Sequence, residues 1–214
     1  MQKTGAVGAA AIFLFFAARI LGGMIPGVAG DFLSQILSAG IPALLLLFFP
    51  KVELPRVTLP DRRGWAHFLY LPLFLLTVLV FSVLSSIFAG LFGVTAPEAT
   101  GTLPVEFLNY VLAPALAEEF FFRFLLLRLF LPYGKSTAVW LSSILFALIH
   151  LNLAQIPYAF AAGLFLGALA LSSESIWIPF LFHFTNNALS VASSYGNALS
   201  SFFLFFFIAV SCFV

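Results

Sequence analysis

Residues 105–131 read VEFLNYVLAPALAEEFFFRFLLLRLFL. A membrane crossing takes about 20 apolar residues, so this run is long enough for one. It also carries the densest charge of any apolar run in the chain, with Glu106, Glu118, Glu119, Arg123 and Arg128. A charged side chain at mid-bilayer costs roughly 2.5–3.5 kcal/mol on the insertion scale, so two adjacent carboxylates need a reason. On a helix, Glu119 and Arg123 stand four apart with the acid first, the favourable order for an ion pair. Glu118 points about 100° away from Glu119 and meets only Phe122 at its own fourth position. It therefore has no local cation. It must face a polar cavity, be protonated, or find a partner on another helix.

The rest of the 214-residue chain sets the context for that run. It is 63% hydrophobic and 8% charged, with a mean hydropathy of +1.14. Soluble domains carry roughly 25% charged residues, so the composition implies an integral, multi-pass membrane protein. Continuous apolar runs without alternation select helices over a barrel. The expected fold is an all-α transmembrane helical bundle of about eight spans. They lie near residues 6–25, 32–49, 65–92, 105–131, 136–153, 157–171, 176–193 and 198–214. The first is read as a span rather than a cleaved signal, because most of the chain is equally apolar.

Residues 51–64 form the one extended polar loop and hold Lys51, Arg56, Arg62 and Arg63. The positive-inside rule makes this loop cytoplasmic. Alternation then puts Arg128, Lys135 and both termini on the same side. The expected location is the plasma (inner) membrane of a prokaryote. Residues 1–103 supply N-terminal helices, and residues 104–214 form a core integrated with them. Net charge is +1, which gives no sign of a nucleic-acid partner. A single cysteine, Cys212, rules out an internal disulfide and a cysteine-based zinc site. Gly163 and Gly167 have the small-xxx-small spacing that lets helices approach closely.

Two further helices carry polar residues at membrane depth. Phe146 and His150 are four apart on one, and His183 and Asn187 are four apart on another. Counting at about 1.5 Å per residue, they share a broad layer with Glu118. A buried carboxylate beside a histidine can hold a water and take its proton. A second histidine and an amide can stabilise an oxyanion. That set suits amide hydrolysis. There is no Gly-x-Ser-x-Gly, no paired aspartate and no mid-membrane cysteine. Two histidines and a glutamate could also bind zinc with an open position. The usual His-Glu-x-x-His helix is absent, and no metal or other cofactor is expected. Arg19, in the first span, is expected to snorkel or pair with an acid and is given no role. His67 sits at an interface outside the site.

Glu-Glu-x-x-x-Arg (118–123), Phe-x-x-x-His (146–150) and His-x-x-x-Asn (183–187), in this order on three apolar helices, resemble the CAAX protease and bacteriocin-processing membrane family, also called CPBP or Abi. Type II CAAX prenyl endopeptidases belong to it. The resemblance covers about residues 104–187. It implies an intramembrane glutamate-type endopeptidase acting on a membrane-embedded or lipidated peptide or protein. By that pattern Glu118 and His150 activate water, and His183 and Asn187 form the oxyanion hole. Glu119 and Arg123 support Glu118, and Phe146 shapes the pocket wall. Two other readings use the same residues. One is a proton-coupled transporter, since intramembrane Glu and His also build proton relays. The other is a non-catalytic immunity or scaffold protein.

Overall fold

A computed structural model describes residues 2–25, 27–47, 59–94 and 102–196. Seven helices and no strands occur among them. They are α1 (Gln2–Gly23), α2 (Val28–Leu47), α3 (Arg62–Leu91), α4 (103–133), α5 (Lys135–Leu148), α6 (Ile156–Ser172) and α7 (Trp177–Ser194). The expected eighth span with Cys212 and residues 51–58 of the basic loop lie outside the described residues.

Length and composition divide these helices. α1, over Ala6–Gly23, and the 30-residue α3 are long and apolar enough to cross a membrane. α5 and α6 have 14 and 17 residues, or about 21 and 26 Å of rise. That is less than the roughly 30 Å of a hydrocarbon core. α3 leaves Leu73, Leu76, Leu79, Val83 and Ile87 exposed on its outer face, as a helix solvated by lipid would.

Element boundaries follow local chemistry. Asp61 caps α3, its Oδ1 accepting from the Gly64 N–H at 2.8 Å, as an N-cap carboxylate does. α4 is not a plain α-helix. π-helical turns cover Phe107–Leu112 and Phe120–Leu126, on either side of Ala113–Glu119. The first leads into Pro114, which has no N–H to continue the i→i−4 ladder, so the ladder is rearranged there. α5 stops at Leu148, earlier than the apolar run predicts. His150 therefore sits in the turn after the helix, where Leu151 takes φ 49°.

Two phenylalanine-rich cores hold the bundle. One joins α1, α4, α5 and α6 around Phe15, Phe121, Phe122 and Phe146; Phe15 and Phe121 stack at 4.1 Å. The other joins α3, α6 and α7 around Phe68, Phe74, Leu166 and Phe182. The helix ends also sort by charge. The start of α3 (Asp61, Arg63, His67) and the α6–α7 connection (Ser172–Ser175) line one cavity of about 460 Å³. Arg128 and Glu174 meet around a small void at the same connection.

Close backbone approach fixes two of the helix pairs. A Cβ on Gly163 would lie 3.1 Å from Ser143 Cα and 3.3 Å from Phe146 Cδ1, so the expected glycine contact lies between α6 and α5. Between α1 and α2 the fit is tighter. A Cβ on Gly22 would lie 2.4 Å from Ser34 Cα, and Ser34 Oγ donates to the Arg19 carbonyl at 3.0 Å. Gly22→Val is therefore expected to force α1 off α2. Overpacking of this kind costs about 1–3 kcal/mol. The check is a lower unfolding temperature in detergent than that of Gly23→Val, whose added carbon meets nothing within 4 Å.

Candidate active site

The site is built around the acid pair of α4. Glu118 and Glu119 are both buried, at 2% and 1% exposure. Their charges are met by separate partners. Arg123, one turn on, places Nε 3.2 Å from Glu119 Oε2, although the angle falls short of a hydrogen bond. Its guanidinium lies 4.3 Å over the Phe146 ring, a cation–π contact that steadies a buried cation. The expected Glu119–Arg123 pair is therefore present. It is also shared, because His183 Nδ1 on α7 lies 2.8 Å from Glu119 Oε1.

The partner that Glu118 lacks on its own helix comes from α1. Arg19 Nη2 donates to Glu118 Oε1 at 3.2 Å across 99 residues of sequence. The other carboxylate oxygen, Oε2, faces His183 Nε2 at 3.9 Å, too far for a direct hydrogen bond. Of the three ways to accommodate Glu118, the structure uses a cation on another helix.

Each histidine has one nitrogen committed. His150 Nδ1 lies 3.0 Å from the Phe146 carbonyl. A carbonyl only accepts, so Nδ1 carries the hydrogen and Nε2 of the neutral ring holds a lone pair. His183 likewise donates from Nδ1 to Glu119. Phe146 joins the two, with its ring edge-on to His150 at 5.3 Å and to His183 at 5.6 Å. The Tyr158 ring lies 6.4 Å from that of His150.

The structure thus gathers Glu118, Glu119, Arg123, Phe146, His150 and His183 into one contact network. Asn187 stands apart from it. Its Oδ1 accepts from Asn186 Nδ2 at 3.2 Å, and among the described residues this is the one hydrogen bond of its side chain. His183 reaches both acids, with Nδ1 toward Glu119 and Nε2 toward Glu118. Among the described residues no three His, Cys, Asp or Glu side chains form a group that could hold a metal ion.

Sequence reasoning expected Arg19 to snorkel or pair with an acid without naming that acid or giving Arg19 a place in the site, and it missed Tyr158. For Arg19 a signal existed. It is the one charged residue between 6 and 25, and an arginine inside a span implies a partner. Tyr158 carries no such signal, because tyrosine is common near membrane interfaces.

Comparison with known proteins bears on this same part of the chain. Residues 100–189 match the family model described as Type II CAAX prenyl endopeptidase Rce1-like. The match contains all three motifs and covers less than half of the chain. No curated protein and no solved structure matches the chain.

Proposed function

We propose that this chain is an intramembrane endopeptidase in which Glu118 activates water to hydrolyse a peptide bond of a membrane-associated substrate. The family match over residues 100–189 supports a CAAX protease-type hydrolase. The observation that carries the assignment to Glu118 is its geometry. One carboxylate oxygen is tied to Arg19, and the other faces His183 Nε2 at 3.9 Å. Two acceptors roughly 4 Å apart can share one water that donates a hydrogen to each, at about 2.8 Å per bond.

The chemistry then follows in order. Water attacks the scissile carbonyl carbon as Glu118 takes its proton. With its ring neutral, His183 accepts the other hydrogen of that water on Nε2 and orients it, and His150 borders the site through Phe146. Asn187 keeps its Nδ2 free to donate toward the oxyanion. On collapse the C–N bond breaks and Glu118 returns the proton to the leaving amine. Glu119 and Arg123 hold His183 in its tautomer, and Phe146 walls the site. The substrate class is a prenylated or otherwise membrane-anchored peptide, which reaches the site from the lipid or its interface. The setting is a multi-pass bundle whose basic ends are cytoplasmic, in the inner membrane of a prokaryote.

The test uses the full chain in lipid nanodiscs with a farnesylated peptide ending in a CAAX sequence. Mass spectrometry should find a new C-terminus that depends on Glu118. A proton flux in liposomes that Glu118→Gln removes, with no peptide cleaved, would favour a transporter instead.

A further inference from the structure

Two cations of the site, Arg19 and Arg123, keep buried nitrogens without a hydrogen-bond partner, and Arg19 is the one that pairs with Glu118. It lies on α1, outside the matched segment 100–189. Its Nη2 is spent on Glu118 Oε1 at 3.2 Å, while its Nη1 is buried and has no hydrogen-bond partner. A guanidinium would avoid that arrangement, because a buried donor without an acceptor forfeits its hydration. Hydrolysis, meanwhile, needs donors for the oxygen that becomes negative. Both histidines have committed their Nδ1–H, to Phe146 and to Glu119. With both rings neutral, as holding the water requires, their remaining nitrogens are acceptors. The Arg123 guanidinium is stacked on Phe146 and paired with Glu119. That leaves Arg19 as the cation beside Glu118.

We infer that Arg19 is a catalytic residue: its free Nη1–H binds the carbonyl oxygen as it becomes an oxyanion, while its Nη2–H holds the base. This rests on the endopeptidase reading above. The guanidinium suits both tasks at once because it is planar and presents its donors as a rigid fork. With one nitrogen 3.2 Å from the base, its neighbour on the same carbon falls within reach of a carbonyl under attack by water on Glu118. The balance is that of hydrolysis. The water oxygen bonds to carbon, its proton goes to Glu118, and the π pair moves onto the oxygen that Nη1–H meets. Collapse returns that pair, breaks C–N and sends the proton to the amine.

The test compares wild type, Arg19→Lys, Arg19→Ala and Glu118→Gln as full chains in nanodiscs, with the farnesylated CAAX peptide as probe. Loss of an oxyanion donor lowers kcat by roughly 10²–10³-fold. Arg19→Ala should show that loss with KM changed less than about threefold, and free guanidinium should restore part of kcat. Arg19→Lys keeps the charge but not the fork, and should remain at least tenfold below wild type. A peptide aldehyde, which binds as a tetrahedral adduct, should lose affinity for Arg19→Ala while uncleaved peptide does not. If Arg19→Ala does not fold, Arg19→Lys decides alone. Wild-type kcat in either folded variant overturns the proposal while Glu118→Gln stays inactive and the peptidase reading stands. If the wild type cleaves nothing, or Glu118→Gln remains active, that reading fails and the role of Arg19 fails with it.

Discussion

Replacing Glu118 with glutamine is expected to lower kcat by roughly 10²–10⁴-fold, the usual contribution of a general base. The variant should still fold. The amide oxygen can go on accepting from Arg19 Nη2, as Oε1 does at 3.2 Å, and the side chain keeps its volume within a buried site. Substrate binding should change little, because the lost function is proton transfer rather than contact. Turnover of the farnesylated peptide, measured beside thermal unfolding of the same preparation, separates the two effects. A folded variant with undiminished turnover would move the base elsewhere, with His150 next in line.

Arg123→Met should produce the largest loss of stability. The Arg123 and Glu119 side chains are each 1% exposed. Removing one partner of a buried pair leaves the other charge uncompensated, at a cost of about 3–5 kcal/mol. The Phe146 ring would lose its cation as well. Glu119 would keep His183 alone, so the hydrogen bond that orients that ring would carry the whole charge. Chemical unfolding in mixed micelles should show the drop. The double variant Glu119→Gln with Arg123→Met should recover part of it, because no lone carboxylate remains. If the single variant unfolds no earlier than wild type, Arg123 is not the counter-ion of Glu119.

Several of these features could be read in advance, for identifiable reasons. Helix placement followed from apolar runs, which report the need to satisfy the backbone in lipid. The division of the acid pair followed from helical spacing: Glu119 has Arg123 one turn away, and Glu118 has only Phe122. What spacing could not supply was the partner across the bundle. Arg19 and Glu118 were each conspicuous as an unmatched charge in its own span. Pairing them requires knowing that α1 packs on α4 through Phe15 and Phe121, a contact between phenylalanines that many pairings would satisfy equally well. The end of α5 was misplaced for a different reason. Residues 149–153 still carry Ile149, Leu151 and Leu153 around His150 and Asn152, and hydropathy does not register a turn set by the positive φ of Leu151. His183 illustrates a third limit. Spacing sets the helical face it shares with Asn187, but the carboxylate it meets, Glu119, lies on a neighbouring helix.

The wide turns of α4 also bear on how such chains vary. A π turn closes on the fifth residue where an α turn closes on the fourth, so each such stretch accommodates extra length without unravelling the rod. The turn over Phe120–Leu126 begins directly after the acids and contains Arg123. A one-residue deletion there would let the rod wind as a plain α-helix, and because the wide turn already absorbs that residue's rotation, the flanks would keep nearly the same bearing. The carboxylates and the segment leading to Arg128 would still face the same way, about 1.5 Å closer along the axis. Between the acid pair and the basic end of this helix, then, length can change without a change of face. An alignment gap placed there would signify a shortening rather than a rotation.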